Sequence, residues 1–155
     1  MNKKQNIIHN QSEIDDFLTP IYSLPITSVW RGYGNVNFAE FGSLTDNRGE
    51  YTLWIDTPYW KLIKADGVFD GNEETYESID SETSILLGKK ITKISHLPGS
   101  KTFEADFEGG TKLVCFPDED HFVSIIRNPE RKFLNFISDG TTTFETYKSR
   151  QGLKD

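Results

Sequence analysis

Only one cysteine, Cys115, occurs in the 155 residues, so no disulfide can close within a single chain. No apolar run approaches the roughly 18 residues that a membrane span requires. The opening segment MNKKQNIIHNQSEIDDF has a basic pair but no apolar stretch of signal-peptide length. These absences lead to the expectation of a reduced, soluble, cytoplasmic chain with no membrane partner. Positive charge is also in short supply, with 17 Lys and Arg against 24 Asp and Glu. Binding to nucleic acid rests on neutralising phosphates with Lys and Arg, so nucleic acid is not an expected partner. The catalytic signatures that can be read locally are missing as well. There is no G-x-S-x-G, no P-loop and no G-x-G-x-x-G after a strand, and Gly32-Tyr33-Gly34 reads as a hairpin turn.

What the chain does have is aromatic bulk. Eleven Phe, six Tyr and three Trp offset a hydrophobic content of 35%. Each such ring buries a large area, so a core is affordable and disorder is not expected. The length suits one domain.

The charge is segregated. Residues 66–88 contain Asp66, Asp70, Glu73, Glu74, Glu77, Asp80 and Glu82 and no Lys or Arg. Without these seven acids the remainder holds 17 of each sign. A solvated loop kept for solubility would look similar. Here, however, Phe69, Tyr76 and Ile79 interleave with the acids, and an acidic rim around aromatic anchors suits recognition of a basic protein.

Alignment of the chain with itself suggests an internal repeat. Ile26-Thr27-Ser28-Val29 parallels Ile91-Thr92-Lys93-Ile94, and FAEFG at 38–42 parallels FEADFEG at 103–109. Tyr51 to Ile55 parallels Thr111 to Cys115, and Pro58 and Pro117 each precede an apolar run. Each copy reads as four short strands, 26–30, 36–41, 50–56 and 60–64, then 90–95, 101–107, 111–116 and 121–126. Phe103, Ala105 and Phe107 alternate with acids in the manner of a half-buried antiparallel strand. The expected fold is mainly β with some α, a single domain over 1–155. Two antiparallel four-stranded meanders pack together, copy one at about 21–65 and copy two at about 89–127. The acidic connector 66–88 lies between them, and a C-terminal hairpin at 131–148 follows. A short N-terminal helix should begin at Ser12 and stop near Pro20. A second helix is possible in the connector, capped by Asn72 and ended by Gly88, with Tyr76, Ile79, Thr83 and Leu86 or Leu87 on one face.

Residues with catalytic or ligating potential are sparse. His9 lies in the N-terminal segment, His96 begins a turn and His121 follows Asp118-Glu119-Asp120. Asp118, Asp120 and His121 could meet a divalent ion, but any solvated acidic turn could do the same, so no metal or cofactor is expected. A pair of His96 and His121 in a small hydrolase is conceivable. Surface histidines explain them more simply, and no catalytic residue is assigned. Cys115 sits at a core position of its strand. Trp54 and Trp60 read as core residues, whereas Tyr33 and Tyr59 fall in turns and would suit contact with a sugar or another small ligand.

A small acidic β-rich chain containing PITSVWRGYGNVNFAEFG and KITKISHLPGSKTFEADFEGG resembles the bacterial immunity proteins of polymorphic and contact-dependent toxin systems. The order of four strands, connection and four strands is also similar to Whirly-type single-stranded DNA binders, which need a basic face that this chain lacks. The immunity resemblance implies a non-enzymatic module, monomeric or weakly dimeric, that neutralises a cognate basic toxin such as a nuclease. The contact residues expected are Asp66, Phe69, Asp70, Glu73, Glu74, Tyr76, Glu77, Asp80 and Glu82, with Asp118, Glu119 and Asp120 in support. The alternative is a β-protein that binds carbohydrate or another small ligand, or a hydrolase using His96 and His121.

Overall fold

Two antiparallel sheets and two eight-residue helices account for most of the chain in the computed structural model, which describes residues 3–7, 11–32, 36–72, 74–95, 101–118 and 122–147. In chain order the elements are β1 (Lys3–Ile7), α1 (Gln11–Leu18), β2 (Ile26–Arg31), β3 (Asn37–Phe41), β4 (Tyr51–Ile55), β5 (Trp60–Lys64) and β6 (Gly67–Asp70). There follow α2 (Tyr76–Thr83), β7 (Ile91–Ser95), β8 (Phe103–Phe107), β9 (Lys112–Cys115), β10 (Phe122–Arg127), β11 (Lys132–Ile137) and β12 (Thr142–Tyr147). A short 3-10 turn trails each helix, at Thr19–Ser23 and Ser84–Leu86.

The seven-stranded sheet runs β1-β12-β11-β10-β4-β3-β2, and the five-stranded sheet runs β6-β5-β9-β8-β7. One core fills the space between them. Phe41, Leu53, Ile126, Leu134 and Phe136 enter from the larger sheet, and Trp60, Leu62, Phe103, Ala105 and Leu113 from the smaller. The rings of Phe103 and Phe136 meet across the gap with centroids 4.9 Å apart. The predicted alternation in β8 holds, with Phe103, Ala105 and Phe107 buried and Glu104 and Asp106 on the other face.

All eight strands read from the sequence form, but they do not make two four-stranded meanders. The first three strands of each half do form a meander, β2-β3-β4 and β7-β8-β9. The fourth strand then leaves for the other sheet. β5 pairs with β9, and β10 pairs with β4. The cause is local. A tight hairpin needs residues at positive φ. Such residues do occur where hairpins turn, at Asp46 and Asn47 (φ 52° and 66°), at Gly109 and Gly110 (83° and 84°) and at Gly140 (93°). None occurs between Ile55 and Trp60, where Pro58 stands and the Thr57 hydroxyl takes the Tyr59 amide at 3.1 Å. The chain therefore crosses instead of folding back.

The strand orders of the two halves nevertheless correspond. Each fourth strand continues into an antiparallel hairpin, β5-β6 and β10-β11. The order β6-β5-β9-β8-β7 thus mirrors β11-β10-β4-β3-β2. Each meander has its register shift at the same place, between Ile26 and Ser28 and between Ile91 and Lys93. Counting from those shifts, Ala39-Glu40-Phe41 lies opposite β2 as Ala105-Asp106-Phe107 lies opposite β7. Phe103 therefore corresponds to Asn37 and not to Phe38, one place off the sequence alignment. The seven-stranded sheet alone is extended, by β12 and then β1. β11 and β12 occupy the expected C-terminal hairpin, whereas neither β1 nor β6 was expected as a strand.

Gly49 is the turn glycine hemmed in by backbone rather than by a side chain. A Cβ there would lie 2.5 Å from the Phe41 carbonyl oxygen and 2.7 Å from its nitrogen, both backbone atoms. Gly49→Ala is expected to destabilise the fold by about 2 kcal/mol in urea denaturation, as overpacking does. Gly110→Ala meets no neighbour within 4 Å and should lose only the left-handed backbone preference, about 1 kcal/mol.

Candidate functional site

The acidic connector is folded from its first residue. β6 pairs with β5 along Lys61–Lys64. The Gly71 amide then donates to the Trp60 carbonyl at 2.9 Å, and the Trp60 ring lies where a Gly71 side chain would be. The Asp70 carboxylate accepts the Asn72 amide at 3.0 Å, so Asn72 belongs to this turn and does not cap the helix. Thr75 caps it instead, its hydroxyl accepting the Ser78 amide at 3.1 Å. Ile79, Thr83 and Leu86 are buried as the spacing predicts, while Tyr76 and Leu87 are about half exposed, and Gly88 ends the segment at φ 85°.

The helix is held on the edge strand β2 by one arginine. Arg31 donates from Nε and Nη2 to the two Asp80 oxygens, both at 3.2 Å. Its guanidinium carbon also stands 4.1 Å from the centroid of the Tyr76 ring. Planar bidentate pairing and ring stacking are what a guanidinium does and an ammonium cannot. The hydrogen bond to Asp80 holds the Arg31 pKa above its ordinary value. At the other end of α2, Glu82 pairs with Lys64 of β5, which also approaches Asp66 at 3.9 Å. Beside the clamp lies a cavity of about 270 Å³ lined by Val29, Trp30, Arg31, Asp80 and Thr83.

The expected contact residues are thus not equivalent. Asp66, Asp70, Asp80 and Glu82 each have a cation within 4.0 Å, from Lys64, Lys61 and Arg31. All three cations sit in the flanking strands, so strands outside the segment partly neutralise it. Phe69 turns inward against Trp60, with ring centroids 5.9 Å apart. Glu74, Tyr76 and Glu77 are exposed, and Glu74 and Glu77 form no ion pair among the described residues. Asp118 lies at the β9–β10 crossing, where the Ser138 hydroxyl bonds its backbone at 2.8 Å and 3.2 Å. Glu73, Glu119, Asp120, His9, His96, His121 and Tyr33 lie outside the described residues.

A second polar cluster was not expected from the sequence. Glu40 is wholly buried, and its carboxylate accepts from Trp30 Nε1 (2.8 Å), the Gly49 amide (2.9 Å) and the Thr52 hydroxyl (2.5 Å). Arg127 completes the cluster, donating to Thr52 at 2.7 Å and to the Gly49 carbonyl at 2.8 Å. Both side chains grip Gly49, so the cluster fixes the β3–β4 loop on the outer face of the larger sheet. The signal was Glu40 within the apolar run FAEF, where the alternation gave it no special weight. Beside it, Trp30 stacks on Phe38 at 3.8 Å, and Phe38 and Trp54 meet edge to face at 5.5 Å. Trp60 is core as expected, but Trp54 belongs to this outer row and is half buried.

Thiol chemistry is disfavoured because Cys115 is fully buried and burial pushes its pKa far up. Among the described residues no three His, Cys, Asp or Glu groups converge as a metal site, and no helix is long and apolar enough to cross a membrane. The arrangement is equipped for electrostatic recognition. No family model matches the chain, and neither a curated protein nor a solved structure gives a significant match.

Two outcomes are expected. Arg31→Ala should speed amide exchange across Tyr76–Thr83 and leave β8 and β9 unchanged. Combined with Asp80→Asn it should cost less than the sum of the single changes, since both remove one contact. Glu40→Ala should destabilise the protein by about 3 kcal/mol in chemical denaturation, because the buried Gly49 and Thr52 donors, and with them the part-buried Trp30 indole, lose their acceptor together.

Proposed function

We propose that the chain is a binding module that neutralises a basic protein, in the manner of an immunity protein facing a cationic toxin. The observation that carries this reading is the double grip of Arg31 on Asp80 and Tyr76. It makes α2 a fixed platform that displays Glu74, Glu77 and the half-exposed Tyr76 ring. A preorganised surface loses little entropy on association, and an acidic one accelerates the encounter with a cation-rich partner. The partner's most basic cleft, the one a nuclease uses for phosphate, is the natural target. The module would work in the cytoplasm, where such a toxin acts.

The matched strand orders and register shifts also support a duplicated unit of helix, 3-10 turn, three-stranded meander and crossed hairpin. That unit is larger than the four strands read from the sequence. Ile14-Asp15 and Ile79-Asp80 stand at corresponding places in the two helices, with the same spacing as Ile26 and Ile91.

The test is affinity for a purified basic nuclease toxin domain from the same genomic neighbourhood. Glu74→Gln with Glu77→Gln should weaken binding by about tenfold, mainly through slower association, and added salt should narrow the gap. Unchanged affinity and unchanged salt dependence would remove α2 from the interface.

A further inference from the structure

The matched topology leaves β12 and β1 of the larger sheet without counterparts, so β6 ends the smaller sheet where β11 is covered. In the larger sheet β11 is covered along its outer side by β12, in the register Phe133↔Glu145 and Asn135↔Thr143. In the smaller sheet β6 occupies the place of β11, and the sheet ends there. Leu62 pairs with both Phe69 and Leu113, as Ile126 pairs with both Leu134 and Leu53. Val68 and Asp70 of β6 therefore stand where Phe133 and Asn135 stand in β11.

The backbone alternation makes this edge specific. The Gly71 amide is bonded inward to Trp60. In an antiparallel ladder the inward groups alternate, so Gly67 and Phe69 also face β5. Val68 and Asp70 turn their N–H and C=O outward, and no described strand pairs with them. The inner edges of the two meanders are treated differently. The Ile26 amide and carbonyl of β2 bond Lys89 and Gly88 at 2.9 Å and 2.8 Å, with α2 packed alongside. On β7 the turn Thr19–Ser23 packs against the strand. The larger sheet ends on its other side at β1. On β6, Val68 is 60% exposed beside the partly exposed Ile63, and Asp66 and Asp70 flank it, each within 3.9 Å of one β5 lysine, Lys64 and Lys61.

We propose that the outer edge of β6 is a strand-addition site, which takes one extended, basic segment of a partner protein antiparallel to Gly67–Asp70, as β12 sits on β11. Main-chain bonds to Val68 and Asp70 supply the affinity. Alternating side chains supply the choice, with an apolar residue over Val68 and cations beside Asp66 and Asp70. The charge of the segment rests on the reading of the partner as basic, whereas the edge itself does not.

The test uses the full chain and a capped peptide of alternating lysine and valine, with a glutamate–valine peptide as comparison. At saturation the lysine peptide should slow exchange of the Val68 and Asp70 amides by about tenfold while the Gly67 and Phe69 amides are unchanged. Val68→Pro removes only an outward N–H and should weaken the peptide by about tenfold, with Val68→Thr restoring it. Binding without protection at Val68 and Asp70 would overturn the proposal, as would no binding by either peptide. Protection that grows with protein concentration alone would also overturn it, because a second copy would then hold the edge. Equal protection by the glutamate peptide would support the edge and defeat the basic-partner reading.

Discussion

The interaction on which the rest of this structure depends is the exchange of hairpins between its halves. β4 finds its outer neighbour in β10, and β9 finds its own in β5. Neither meander completes its sheet with its own fourth strand. Burial of Trp60 and Leu62 needs residues of the second half, and burial of Ile126 and Phe136 needs residues of the first. Contacts this distant in sequence carry a loop-closure cost that only the shared core offsets.

This constraint places the acidic connector. Once β5 and β6 have joined the smaller sheet, the chain must return to begin β7 at that sheet's far end. It passes the outer side of β2 on the way, and α2 is the element that makes the passage. The strands it passes provide Lys61, Lys64 and Arg31. The charge excess seen in the sequence is therefore graded in space. Asp80 and Glu82 hold the helix down, while Glu74 and Glu77 remain for solvent or a partner. Exposed ion pairs add little to stability individually, so their value here is in fixing one geometry among several.

Much of the fold could be read from residue order. The alternation of Phe103, Ala105 and Phe107, the turn glycines 109, 110 and 140 and the apolar stripe of Ile79, Thr83 and Leu86 each state a local preference that the structure keeps. The crossing could not be read in the same way. An apolar run such as Trp60-Lys61-Leu62-Ile63 says that a strand forms, but not which sheet receives it. The missing positive-φ residues in Asp56–Tyr59 were the available sign. β6 is not legible in the same way, because Gly67-Val68-Phe69-Asp70 is only four residues long and lies inside a charge run without apolar alternation. The site was legible as composition and not as geometry. Seven acids could be counted, but the contacts of Arg31, Lys61 and Lys64 with four of them depend on strands brought alongside only by the fold, and Glu40 looks like any strand acid until Gly49 and Thr52 close on it.

Interlocked halves should behave as one cooperative unit, and native-state hydrogen exchange across a denaturant series measures that directly. The amides of Thr52–Trp54 and Ile125–Ile126 in the larger sheet, and those of Leu62 and Leu113 in the smaller, are predicted to merge into a single isotherm at the free energy of global unfolding. Two separate isotherms, one for β2–β6 and another for β7–β11, would show halves that open independently and would contradict the exchange of hairpins as the organising constraint.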